Sequence, residues 1–128
     1  MKLTPSVRVE SLPEYNTLKM IWHAPVNKAE IALALDELMA ALEQADRPAY
    51  VLVTLKGDSH VPFGFTLSQT LRDSCRHPMV VEMLVCGESA SASTISRRLT
   101  LLAGHSVVRN FPTEREAMTY LAAHRHQA

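Results

Sequence analysis

The run Ala49-Tyr-Val-Leu-Val-Thr-Leu55, with the segment KGDSHVPFGFTLS from Lys56 to Ser68 behind it, decides the fold. The run has no polar face. An apolar stretch of this length, bounded by turn residues, marks a strand covered on both sides, as in the interior of a parallel sheet. Parallel neighbours need crossovers, so helical patterns should stand on either side of it. Upstream, Asn27 and Glu30 have the capping-box arrangement in its Asn form, and Ile31, Leu35, Leu38, Met39 and Leu42 recur at helical spacing until Asp46-Arg-Pro48. Downstream, Phe63, Leu67, Leu71 and Cys75 form a second apolar stripe that His77-Pro78 stops.

Beyond that stop, Met79 to Cys86 is a second interior strand, interrupted only by Glu82. The serine-rich turn from Gly87 to Thr94 offers N-caps for a helix carrying Ile95, Leu99 and Leu102, closed by Gly104. Val107, Arg109 and Phe111 alternate in a last strand near an edge. Thr113 and Glu116 form a second capping box, and Ala117, Met118 and Leu121 are the buried side of the final helix. At the other end, Val7 to Leu12 and Thr17 to Ala24 flank the turn cluster Pro13 to Asn16, with Leu18, Met20 and Trp22 on one face. So short a link makes an antiparallel hairpin. The order is β-β-α-β-α-β-α-β-α, which predicts one α/β domain over 1–128: a mixed, mostly parallel sheet of about five strands, an N-terminal antiparallel hairpin, right-handed crossovers and four helices.

Composition narrows the function classes. Hydrophobic residues make up 47% and charged residues 20% of the 128 residues, and 13 basic residues balance 13 acidic ones. That is a folded chain with no overall field to recruit nucleic acid or an anionic membrane. Cys75 and Cys86 are too few for a disulfide framework, and six scattered histidines match no zinc spacing, so neither a metal nor a cofactor is expected. No stretch approaches the roughly 18 apolar residues of a membrane span, and Met1-Lys-Leu-Thr-Pro-Ser lacks the long apolar core expected of a signal peptide. A cytoplasmic protein is the default expectation.

From about Thr17 to Leu121 the chain resembles the STAS domain, the fold of bacterial anti-sigma factor antagonists, and especially its SpoIIAA-like branch. The resemblance rests on the strand Leu18 to His23 before a capped helix, the strand Val51 to Leu55 before a loop and second helix, and the ending Val107-Val-Arg-Asn-Phe-Pro-Thr-Glu-Arg-Glu-Ala-Met-Thr-Tyr-Leu121. It implies a non-catalytic regulatory module that contacts a protein partner in cytoplasmic signalling, with homodimerisation open. In switch members a serine within a motif like Asp-Ser-Ser-Gly opens the helix after the second central strand. Here Phe63 and Gly64 stand about where the serine pair would be, so that switch is not carried over. Ser59, Thr66 and Ser68 are substitute phosphorylation candidates, although hydroxyls near helix starts are usually caps.

The residues expected to meet a partner or ligand are Trp22, Asp58, Ser59, His60, Phe63, Phe65, Glu88 and Ser89. Gly57 and Asp58 suit a strand exit, Pro62 a first helical turn, and the loop follows the carboxyl end of a central strand, where open α/β sheets place ligands. No nucleotide-binding glycine motif occurs. An alternative function is therefore a carrier of a small hydrophobic, lipid-like molecule near Phe63, Phe65 and Trp22. A small α/β enzyme rests only on Glu82, Asp58 and His60. Asp58-Ser-His60 has the residue types of a hydrolase triad, but sequence neighbours cannot converge as that triad must. Glu82, a carboxylate inside an apolar strand, reads either as an acid or ligand anchor, or as a residue that reaches solvent or an arginine.

Overall fold

The computed structural model describes residues 7–23, 28–56, 69, 72–87, 94, 97, 99–101 and 107–124. Five strands form one sheet in sequential order: β1 (Val7–Leu12), β2 (Thr17–His23), β3 (Ala49–Lys56), β4 (Val80–Cys86) and β5 (Val107–Phe111). β1 and β2 are antiparallel, and every later neighbour pair is parallel. Four helices are represented among the described residues: α1 (Lys28–Glu43), α2 with helical residues 69 and 72–75, α3 with 94, 97 and 99–101, and α4 (Glu114–His124). This is the predicted architecture with one refinement. β2 is also interior, because its hairpin partner β1 covers the edge that β3 leaves.

The hairpin turns through a single 3-10 turn, Pro13–Tyr15. Asn16 closes it in the left-handed region at φ 52°, a conformation that asparagine tolerates better than most residues. Its side chain also ties the turn to the rest of the sheet. Asn16 Nδ2 donates to the Pro48 carbonyl at 2.8 Å, and Tyr50 N donates to the Asn16 carbonyl at 3.0 Å, so β3 enters in register with β2.

Strand order fixes where the helices go. β2, β3, β4 and β5 advance in one direction across the sheet, and right-handed crossovers then drop all three connecting helices onto the same face. The core agrees. Ile31, Leu35, Leu38 and Leu42 of α1, Cys75 of α2 and Leu99 of α3 pack with Met20, Trp22, Val51, Val53, Met83 and Val85. α4 follows the last strand and is no crossover, so it is free to cover the other face. There Ala117 and Leu121 pack on Tyr50, Leu52, Leu84 and Cys86. Thr113 caps α4 as its sequence predicts, accepting from Glu116 N at 3.2 Å.

β4 begins with an irregularity in its pairing. Ala49 pairs with Val80 and Val51 with Met83, so two residues, Val81 and Glu82, stand opposite Tyr50 alone. Such a bulge re-aims side chains. Val80 packs with the three-helix core, whereas Val81 and the Glu82 carboxylate both face α4.

Candidate functional site

On the α4 face, near the starts of β3 and β4, a cleft of about 370 Å³ is lined by Tyr50, Val81, Glu82, Arg109, Tyr120 and His124. β4 supplies Glu82 through its bulge, and β5 supplies Arg109 on the same face two residues beyond the position opposite Glu82. α4 supplies Tyr120 and, one turn later, His124. Arg109 Nε and Nη2 each lie 3.0 Å from Glu82 Oε2. The Tyr120 hydroxyl donates to Glu82 Oε1. The Glu82 side chain is 13% exposed, so this pairing answers the cost of placing a carboxylate there.

Aromatic rings enclose the group. The Arg109 guanidinium sits 5.1 Å from the Tyr120 ring centroid, a cation–π placement, and the His124 ring stacks on Tyr120 at 4.0 Å. Phe111 is tilted against Tyr120 at 5.5 Å. Because a carbonyl oxygen can only accept, His124 Nδ1 donates to the Tyr120 carbonyl at 2.8 Å. The Tyr50 hydroxyl donates to the His124 carbonyl at 2.9 Å, which satisfies a carbonyl at the end of α4.

Electrostatics follow from this geometry. Burial, the Glu82 hydrogen bond and the Glu82 charge push the Tyr120 hydroxyl up to about 12. Burial and then the Glu82 charge raise Tyr50 as well. Both are neutral donors at ordinary pH and neither is a base. The hydrogen bond to Glu82 raises Arg109 further. Both Glu82 oxygens are engaged, and among the described residues no serine, threonine or cysteine lines the cleft. The arrangement binds α4 to β4 and β5. Among the described residues no three His, Cys, Asp or Glu side chains converge as a metal site.

The residues expected at the site fare differently. Trp22 is 1% exposed in the three-helix core, paired across the strands with Val7 and Leu55, so it offers no surface to a protein partner. Its alternation with Met20 puts both on the face that the helices bury. Its Nε1 is buried, with no acceptor among the described residues. Asp58, Ser59, His60, Phe63, Phe65, Thr66, Ser68, Glu88 and Ser89 lie outside the described residues. Glu82 takes the arginine-paired reading rather than that of a free acid. Sequence reasoning does not join Tyr50, Tyr120 and His124 to it. Tyr50 is hidden in an apolar run, and the only usable signal is the lone acid of one strand with the lone cation of the next.

No protein-family model matches the sequence, and no curated protein sequence does. Among solved structures the chain is similar to an anti-sigma-factor antagonist (STAS) domain protein from Planctomyces limnophilus. The TM-score is 0.62 and the identity 18%, over 91% of this chain and 97% of that one. Together with the sequential strand order, the antiparallel first pair and α4 behind the sheet, that likeness gives the chain a STAS-type fold.

Proposed function

We propose that the chain is a non-catalytic regulatory module that acts by contact with a protein partner in cytoplasmic signalling. The observation that carries this reading is the fold, similar over 91% of the chain to a domain described as an anti-sigma-factor antagonist. The saturated cluster around Glu82 also supports it, since the polar group most suggestive of chemistry is engaged in holding α4. Among the described residues no helix is long and apolar enough to cross a membrane.

The contact surface in this reading is the segment Gly57 to Phe65, with Glu88 and Ser89. β3 and β4 are parallel neighbours, so the chain leaves the sheet at Lys56 and at Gly87 on the same rim. Phe63 and Phe65 supply the apolar anchors, Asp58, Ser59 and His60 the polar ones. A phosphate on Ser59, within that segment, or on Thr66, the residue after it, would alter the contact by charge and desolvation. The test uses the chain as bait in an extract of its own cells beside the Phe63→Ala/Phe65→Ala variant. One stoichiometric partner, reduced at least about tenfold by the variant at unchanged melting temperature, supports the reading. Equal capture by both sinks it.

A second reading, a carrier of a small hydrophobic molecule, is favoured by Trp22. A buried indole N–H with no acceptor among the described residues leaves a cost of about 1–3 kcal/mol to be met, and a ligand carbonyl or carboxylate near the strand ends would supply an acceptor. Trp22 is the sole tryptophan, so its emission reports directly on that environment. Native mass spectrometry should show added mass that organic extraction removes, with a shift in Trp22 emission. An unmodified mass with unchanged emission rules the carrier out.

A further inference from the structure

β1 lies at the margin of the sheet, and among the described residues no strand pairs with its outer edge. Such an edge templates another strand unless something blunts or covers it. The charges of β1 do not blunt it, because they are self-complementary. Arg8 and Glu10 share the α4 face of the strand, with Arg8 Nε 3.6 Å from Glu10 Oε1, and both side chains are nearly half exposed. Between them Val9 turns to the other face and packs on the three-helix core. A strand reading cation, valine, acid matches itself when turned about the valine. Antiparallel pairing centred on Val9 sets each Arg8 opposite a Glu10 and each Val9 opposite its copy.

α1 extends the same surface. Leu33 is 67% exposed, beside a cleft of about 350 Å³ between α1 and β1 that Val7, Val9 and Ala34 also line. Among the described exposed positions of α1, Ala29, Ala32, Leu33 and Ala40 stand beside the charges Asp36, Glu37 and Glu43, so about half of that face is apolar. Under the two-fold, both α1 helices lie on one face of a continuous sheet, so each Leu33 reaches over the seam. The opposite margin lacks this match: the one cation of β5, Arg109, is held by Glu82, and β5 carries no acid.

We propose that β1 is a homodimer edge, two copies pairing antiparallel about Val9 with Leu33 of each α1 closing the seam. The occupant is a second copy of this chain. Glu30, Glu37 and Arg8 all rim the cleft, so the seam is charged as well as apolar and the association should weaken with added salt.

Sedimentation of the full chain tests the pairing. Wild type should dimerise with concentration, and Leu33→Glu should weaken the dimer at least about tenfold. Arg8→Glu, at an exposed position, and Glu10→Arg, at a half-exposed one opposite Lys19, should separately be monomers that still unfold cooperatively, the second at a somewhat lower melting temperature. Mixed together they should form heterodimers, because acids of one then face cations of the other. A role confined to one chain gives no such recovery in trans. A wild type that stays monomeric at roughly millimolar concentration overturns the proposal and leaves the edge to another cover, such as residues 1–6. A dimer indifferent to all three substitutions, or single variants that fail to recover on mixing, overturns it too.

Discussion

Arg109 holds Glu82 diagonally across two strands: Nε and Nη2 both stand 3.0 Å from Oε2, although the residue directly opposite Arg109 is Leu84. The diagonal works because the bulge at Val81 and Glu82 turns the carboxylate toward α4, where the Tyr120 hydroxyl takes the other oxygen. One acid thus joins two strands and a helix.

The two arms of this tie should differ in strength. Tyr120→Phe removes a part-buried hydrogen bond to a charged group and should lower stability by about 1.5–3 kcal/mol. Arg109→Met should lower it by only about 1 kcal/mol, since the arginine side chain is 46% exposed and solvent screens its pairing. Urea midpoints check both. A larger loss for Arg109→Met than for Tyr120→Phe would contradict the order.

The hydroxyl of Tyr120 gives the tie a pH signature. Its folded value is raised from 10.0 to about 12, so between those limits the folded protein retains a proton that the unfolded chain has lost. The stabilisation is therefore complete below about 10 and disappears as pH rises through 12. Tyrosinate absorbance should show a late-titrating phase that loses amplitude in Tyr120→Phe, the remainder belonging to Tyr50, which burial also raises. An undiminished phase in that variant would assign the shift elsewhere.

Lys19 and Glu114 supply the acid-side counterpart. Lys19 Nζ lies 3.1 Å from Glu114 Oε1, joining β2 to the first turn of α4. Burial alone would raise Glu114, but the Lys19 hydrogen bond and charge, with Lys56, bring it below its ordinary 4.5. This contribution is present above 4.5 and fades as pH falls through the depressed value. Lys19→Met should lower stability at neutral pH by about 1 kcal/mol and flatten the acid limb of the stability curve. An unchanged limb in urea titrations would show that the pair contributes nothing there.

Both thiols should be silent in the folded state. Burial pushes Cys75 up to about 12 despite the nearby Arg76 charge, and burial also raises Cys86 against the lowering effect of its Thr54 contact at 3.4 Å. A disulfide-exchange reagent near pH 8 should label neither until denaturant is added. Rapid native labelling of either would show an opening that the packed core does not provide.

Much of the fold was legible because its signals are local. The apolar run Ala49 to Leu55 announced an interior strand, Thr113 with Glu116 announced a helix start, and Pro13 to Asn16 was too short for anything but a hairpin. Handedness then distributes the helices between the faces. The cluster was less legible because it depends on register. Nothing near Val81 marks a bulge, and Tyr120 meets Glu82 across 38 residues of sequence. Trp22 shows the same limit. Alternation placed it on a face with Met20 but could not say that three helices would bury that face.

Photo-crosslinking in the native cells decides whether the rim beyond β3 is the proposed protein contact or a reaction centre. A photoreactive phenylalanine analogue in place of Phe63 is compared with the same analogue at exposed Asp46, which stands just before β3 enters the sheet. The expected result is one dominant protein adduct from position 63 that is missing from position 46. No adduct from position 63, or the same adducts from both, would contradict the claim.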